Sequence, residues 1–247
     1  MKFYNREKPL SVLRSFNKIV EEKGSRIIVV TGRRRIGKTR LVVEAFKEQN
    51  YLYFFVKKKR VNDLLAEWSV EIQETFGSVF YGRFQNFEAL LTFLFEFSIK
   101  RQLTVVFDEV QNLLYSDSSA FGTVQKVFDL NREKSKLLLV FLGSSFSLME
   151  RIFKNEKEPL FGRAAEILTL SYLPVKSQEQ ILKDHGLYSG ENLLHLFSLF
   201  DGVPKYIEDF IDLGKNSYKS NFKELLSTRE IIWEEGENTL KEAFGKE

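Results

Sequence analysis

Six residues, RIIVVT (26–31), form a run apolar enough to be buried on both faces. They lead directly into a loop bracketed by glycines, GRRRIGKT (32–39), after which Leu41, Val42, Ala45 and Phe46 recur at helical spacing. A strand covered on both faces belongs to a parallel sheet, since parallel strands are joined by crossovers that pack over them. A helix that starts as soon as the loop ends supplies such a crossover. Three consecutive arginines in a tight turn between strand and helix need a reason: either an anion sits there, or the guanidinium groups point elsewhere.

The same alternation continues along the chain. YLYFFV (51–56), TVVFDE (104–109), LLLVFLGSS (137–145) and EILTL (166–170) read as further strands. Helical periodicity fills Asn62 to about Phe76, then Asn86 to Lys100 with Phe87, Leu90, Leu91, Leu94 and Phe95 on one face, and about Ala120 to Arg132. The expected fold is α/β: a five-stranded parallel sheet with helices on both sides. From Pro174 onward strand signals stop, and helical ones such as Tyr206, Ile207, Phe210 and Ile211 take over. The expected domains are therefore an α/β core over 1–172 and a small all-helical lid domain over 173–247. Ligands of such sheets bind beyond the carboxyl ends of the strands. The Gly32 loop, Asp108 with Glu109, and Ser144 with Ser145 all fall at such ends.

Composition removes several function classes. With no cysteine, disulfides, thiolate metal sites and thiol nucleophiles are excluded. His185 and His195 lie ten residues apart with no carboxylate pattern linking them, so they read as ordinary helix or loop residues rather than metal ligands. The net charge of +3 is too small to imply nucleic acid or membrane by itself. No apolar stretch approaches the ~18 residues of a membrane span, and MKFYNREKPL lacks a signal-peptide pattern. The expectation is a cytoplasmic chain with no membrane partner. Most of the 24 phenylalanines are expected to fill the core.

Gly32 to Thr39 is a full match to G-x-x-x-x-G-K-[ST], placed after a strand and before a helix as phosphate binding requires. Residue frequencies give that pattern by chance in roughly one chain in a hundred of this length. The loop Gly32, Arg33, Arg34, Arg35, Ile36 and Gly37 would cradle phosphate oxygens with its backbone N–H groups, and Lys38, Thr39 and Arg40 open the helix whose N-terminus favours anions. Lys38 would reach the β and γ phosphates, and the Thr39 hydroxyl would hold Mg²⁺. Asp108 and Glu109, ending an apolar strand about seventy residues later, have the form of a Walker B pair. Asp108 would order the metal and Glu109 would polarise the attacking water; paired acids at a strand end also occur in solvated turns. Ser144 could orient that water or touch the γ phosphate, or simply close a strand-end turn. The three arginines occupy variable positions of the loop and are expected to face outward, toward a partner, a nucleic-acid backbone or acids on the lid.

Taken in order, these segments resemble the archaeal-type ATPase family, within the AAA+ and STAND-like P-loop ATPases. FYNRE (3–7) resembles the family's opening F-x-x-R-E segment, FDEVQN (107–112) its Walker B, GSS (143–145) its sensor-1 strand end, PLFGR (159–163) its P-L-[YF]-G-R, and DGVPKY (201–206) its G-x-P segment. The resemblance implies that Arg6 lies near the adenine and that Pro204 contacts the nucleotide; it places Arg163 where relatives carry an arginine finger, acting within or between protomers, the alternative for this residue being a surface salt bridge. It thus implies ATP, ADP and Mg²⁺ as ligands and, where Arg163 acts between protomers, a homo-oligomer through that residue. One departure is that Lys205 is the only cation beside the G-x-P residues, where relatives carry a sensor-2 arginine. Relatives often continue past the lid into a winged-helix or nuclease-like segment.

The expected activity is Mg-dependent ATP hydrolysis driving a conformational switch of the lid. The alternative is a nucleotide-dependent DNA-binding or protein-assembly switch with little hydrolysis, in which VKKKR (56–60) and the arginine triplet form a basic stripe. A small-molecule kinase is disfavoured because Glu109 directly follows Asp108, which suits water activation, and no acceptor-site motif is evident.

Overall fold

The computed structural model describes residues 2–77 and 82–212. The described chain divides into two units: residues 7–32 with 38–169, and residues 2–6, 33–37 and 170–212. The acidic segment 234–244 at the end of the sequence lies outside the described residues, as does the expected lid beyond residue 212. Among the described residues no helix is long and apolar enough to cross a membrane.

The larger unit is built on a five-stranded sheet of β1 (Arg26–Thr31), β2 (Leu52–Phe55), β3 (Leu103–Asp108), β4 (Leu137–Gly143) and β5 (Ala164–Thr169). Its order is β2-β3-β4-β1-β5, and every pair is parallel. All five expected strands are present, β1 with the expected bounds and the others with ends shifted by at most two residues. Helix α1 (Glu7–Lys23) precedes β1, and the crossovers are built from α2 (Lys38–Phe46), α3 (Val61–Phe76), α4 (Phe87–Lys100), α5 (Leu113–Ser116), α6 (Ala120–Asn131) and α7 (Phe146–Lys154). The sequence reading passed over α1, α5 and α7. α1 does carry its signal: Glu7 sits in its first turn and Leu13 and Val20, two turns apart on one face, are both buried.

Strand alternation divides the buried residues between the two faces of the sheet. Ile27 and Val29 join a core made with α3, α4, α6 and α7, whereas Ile28 and Val30 are buried outside that cluster. α1 packs against β1, β4 and α2. The first core centres on Phe107, fully buried, with its ring 5.2 Å from Phe54, 5.6 Å from Trp68, 6.2 Å from Phe87 and 5.7 Å from Phe141. Much of the phenylalanine surplus is accounted for in this aromatic packing. Because Phe107 immediately precedes Asp108, the packing also anchors the end of β3. β2 and β5, the two edge strands, are partly exposed, β5 the more so.

The smaller unit has its own core. α8 (Val175–Asp184), α9 (Gly190–Phe200) and α10 (Pro204–Asp212) bury Leu173, Ile181, Leu182, Leu196, Phe200, Val203, Ile207 and Phe210, with Tyr4 packed against them. The Tyr4 hydroxyl donates to Asp184 Oδ2 at 2.8 Å. Burial, reinforced by that carboxylate, pushes the phenol up to about 12. Ser189 caps α9 by accepting the Asn192 N–H at 3.0 Å. His185 ends α8 and His195 lies within α9, as ordinary helix residues would.

Between α9 and α10 the chain turns at Gly202, whose φ of +76° is in the left-handed region and whose missing Cβ would come 2.3 Å from the Leu173 carbonyl oxygen. Gly202→Ala is therefore expected to destabilise the helical unit by at least ~1–3 kcal/mol, the cost of a non-glycine residue held in that region. Chemical denaturation of the variant should show an earlier transition.

Candidate nucleotide site

The bracketed loop follows β1 and precedes α2, as the motif requires. Arg35 (φ 65°) and Gly37 (φ 95°) flank Ile36 with left-handed backbone, and the Ile36 N–H donates to the Arg33 carbonyl at 3.3 Å. Alternating backbone of this kind turns successive N–H groups into an anion-binding concavity. Gly37 has open space where a Cβ would sit, so its conformation rather than crowding calls for glycine. Lys38 is buried and its ammonium donates to the Gly32 carbonyl at 2.8 Å, folding back across the loop. A cation drawn into a buried position beside the start of a helix is suited to meet phosphate there.

The acids lie where the sheet order brings them. β4 sits between β1 and β3, with Thr31 opposite Gly143 and Phe107 opposite Phe141. The ends carrying Gly32, Ser144 and Asp108 are thus neighbours. Asp108 is 3% exposed. Its Oδ2 accepts the Thr39 hydroxyl at 2.7 Å and the Tyr53 hydroxyl at 2.5 Å, and its Oδ1 accepts the Glu109 N–H at 2.8 Å. Burial foremost, then the bond to Asp108 and its charge, raises the Tyr53 phenol well above its ordinary pKa, so it remains a donor. A hydroxyl beside a carboxylate is an all-oxygen donor pair, the chemistry a hard cation such as Mg²⁺ takes. Such an ion draws the rest of its shell from phosphates and water.

Glu109 adopts φ 56° and ψ 43°, left-handed backbone at the head of a 3₁₀ turn over Val110–Asn112. Its Oε2 accepts from Gln111 Nε2 at 2.5 Å and from the Ser144 hydroxyl at 2.6 Å. Both bonds hold the carboxylate in one orientation. Ser144 thereby has a partner in Glu109, which the sequence reading had not paired with it. Arg40 is exposed on the first turn of α2.

In the smaller unit, the Arg6 guanidinium donates to the Ser171 carbonyl at 2.7 Å and to the Ile36 carbonyl at 3.4 Å, bracing the tip of the loop. Burial lowers its pKa. Arg33 donates to the Tyr172 hydroxyl at 3.3 Å, and the Arg35 guanidinium lies 5.5 Å from the centre of the Tyr206 ring. Arg33 and Arg34 are exposed and Arg35 is partly so. Tyrosines of the helical unit are thus among the neighbours of Arg33 and Arg35. Pro204 opens α10, where its missing N–H costs nothing. Lys205 pairs with Asp209 of the same helix at 2.8 Å.

Arg163 is held on Asp129: Nε lies 3.1 Å from both carboxylate oxygens and Nη2 2.7 Å from Oδ2, while Nη1 donates to the Pro159 carbonyl at 2.8 Å. The basic run is partly neutralised, with Lys57 and Lys59 both on Glu67 at 2.8 and 2.6 Å and Arg60 3.3 Å from Asp63.

Two site residues went unread in the sequence, Tyr53 and Gln111. Gln111 sits two residues after Glu109 and could have been suspected from proximity. Tyr53 was counted only as strand material, and its one signal was a polar-tipped residue at an alternate position of an otherwise apolar strand.

Comparison with known proteins agrees with this geometry. Residues 3–210 match a family described as an ATPase domain predominantly from Archaea. The chain is 26% identical over 206 residues to the uncharacterized protein MJECL04 of Methanocaldococcus jannaschii, an alignment covering 83% of this chain and 43% of that one. It thus spans less than half the length of that curated relative. Among solved structures, the Walker-type ATPase PABY2304 of Pyrococcus abyssi superposes with a TM-score of 0.72 at 18% identity, covering 96% of this chain and 75% of that one. The ORC2 protein of Aeropyrum pernix, solved in ADPNP and ADP complexes, gives 0.64 at 15% identity, covering 84% and 61%. At those identities the structural likeness speaks for the fold. Because that family is matched over most of this chain, the chain belongs to the ATPase-domain family found predominantly in Archaea.

Proposed function

We propose that this chain binds Mg-ATP at Gly32 to Thr39 and hydrolyses it to ADP and phosphate. The observation that carries this reading is the continuous set of bonds from Thr39 to Asp108, from Asp108 to the Glu109 N–H, and from the Glu109 carboxylate to Ser144. The loop threonine, the two acids and the strand-end serine are thus tied one to the next. The loop N–H groups and Lys38 bind the phosphates, Lys38 exchanging its bond to Gly32 for phosphate oxygens. Thr39 and Asp108 hold Mg²⁺, which when bound neutralises charge on the β and γ phosphates. Glu109, aligned by Gln111 and Ser144, accepts a hydrogen bond from the attacking water and orients it.

The reading extends to a switch. Phosphate release at the loop is the event that drives this switch of the helical unit. The DNA-binding alternative draws less support, because Glu67 and Asp63 take up three of the four cations of VKKKR. Arg163 is engaged by Asp129, so a role in a neighbouring protomer would require it to exchange that partner.

Calorimetry with Mg-ATP, paired with phosphate release, tests the proposal. The expected result is saturable binding to one site per chain and slow turnover. Well-folded protein that takes up no adenine nucleotide in the presence of Mg²⁺ would sink it.

A further inference from the structure

Thr39 and the Glu109 N–H alone would give the buried Asp108 a partner on each oxygen, yet a third group converges on it. The Tyr53 hydroxyl donates at 2.5 Å to Oδ2, the same oxygen that accepts Thr39. Tyr53 reaches it from β2, where its register partner on β3 is Val106 and Phe55 is opposite Asp108. Leu52 and Phe54 on the same strand join the aromatic core, so Tyr53 stands on the opposite face of the sheet. Packing alone could be met by phenylalanine. A hydroxyl there puts a donor on an oxygen that Thr39 already occupies.

An aspartate's terminal torsion is broad and two-fold, so an unpinned carboxylate can interchange its oxygens. Two hydroxyls on Oδ2 remove that symmetry. They fix the plane of the group and leave Oδ1, which carries the Glu109 N–H, with remaining acceptor capacity. We propose that Tyr53 is a positioning residue for the divalent cation: its hydroxyl, together with Thr39, locks the Asp108 carboxylate in the orientation that receives Mg²⁺ or a water bound to it. The inference rests on the Mg-ATP reading and adds to it a residue outside the loop and the acid pair. Partners that orient a metal ligand from behind commonly change metal affinity by ~10–100-fold when removed.

The test is a titration of Mg²⁺ into complexes of N-methylanthraniloyl-ADP with wild type, Tyr53→Phe and, as a control from the same segment, Tyr51→Phe. Tyr51 packs its ring 6.0 Å from Phe46. In EDTA all three are expected to bind the analogue equally. The Mg²⁺ concentration at half-effect is expected to rise ~10-fold or more in Tyr53→Phe alone. A purely structural phenol would instead lower thermal stability and leave the Mg²⁺ midpoint where it is, which would overturn the proposal. In an Asp108→Asn background, Tyr53→Phe should add no further shift, since the two act as a unit; additive shifts would also overturn it. Failure of the wild type to bind the analogue at all would count against the Mg-ATP reading itself, a separate outcome.

Discussion

Glu109→Gln is expected to lower turnover by ~10²–10⁴-fold, the usual contribution of a positioned general base, while ATP still binds. The substitution is close to a single-atom change. Glutamine keeps the side-chain length, and its carbonyl oxygen can still accept the Ser144 hydroxyl, which in the native protein lies 2.6 Å from Oε2. The left-handed backbone at this position, φ 56°, is borne by a non-glycine residue in both proteins, so strain is unchanged. What disappears is the negative charge that draws and orients water. Single-turnover hydrolysis beside equilibrium binding separates the two effects. Binding retained with turnover lost supports the assignment, and turnover unchanged would refute the role of Glu109.

Lys38→Ala has the second large effect, in binding as well as in rate. One charge-assisted hydrogen bond is worth ~1.5–3 kcal/mol, which corresponds to about 10- to 150-fold in ATP affinity. Loss of a preorganised cation at the transferring group adds ~10²–10³-fold in turnover. Stability should move the other way or not at all. Lys38 is 6% exposed, and its ammonium donates to the Gly32 carbonyl. Drawing a cation out of water is costly, so the alanine variant without nucleotide is expected to melt no lower than wild type. Thermal melts with and without Mg-ATP check this: wild type should gain stability from the ligand and the variant should gain little. A variant that melts early even without ligand would mean that Lys38 serves the fold first.

Much of the local chemistry was legible in the sequence. A loop conformation depends on contiguous residues, so Gly32, Gly37, Lys38 and Thr39 announce a phosphate cradle through their spacing, and a continuous apolar strand followed by a helix supplies its setting. Asp108 and Glu109 were readable for the same reason: they close a strand whose length and composition are local facts. Helix α1 carries a buried stripe, yet it precedes the first strand, where strand–helix alternation calls for no helix.

Which groups meet was decided by tertiary structure. Asp108 is bonded to Thr39 and Tyr53, 69 and 55 residues away, and Glu109 to Ser144, 35 residues away. Those meetings require β3 to lie between β2 and β4, and β4 beside β1. Arg163 shows the converse, since a residue marked by its motif as a finger is clasped by Asp129 from α6, a partner no spacing announces. The sequence alone determined the phosphate loop, its acids and the α/β alternation, because each is written within one short segment. The strand order, the tyrosine behind the aspartate and the partners of the arginines came only with the fold, because they depend on how distant crossovers pack, an energy shared over the whole core rather than carried by any run of neighbours.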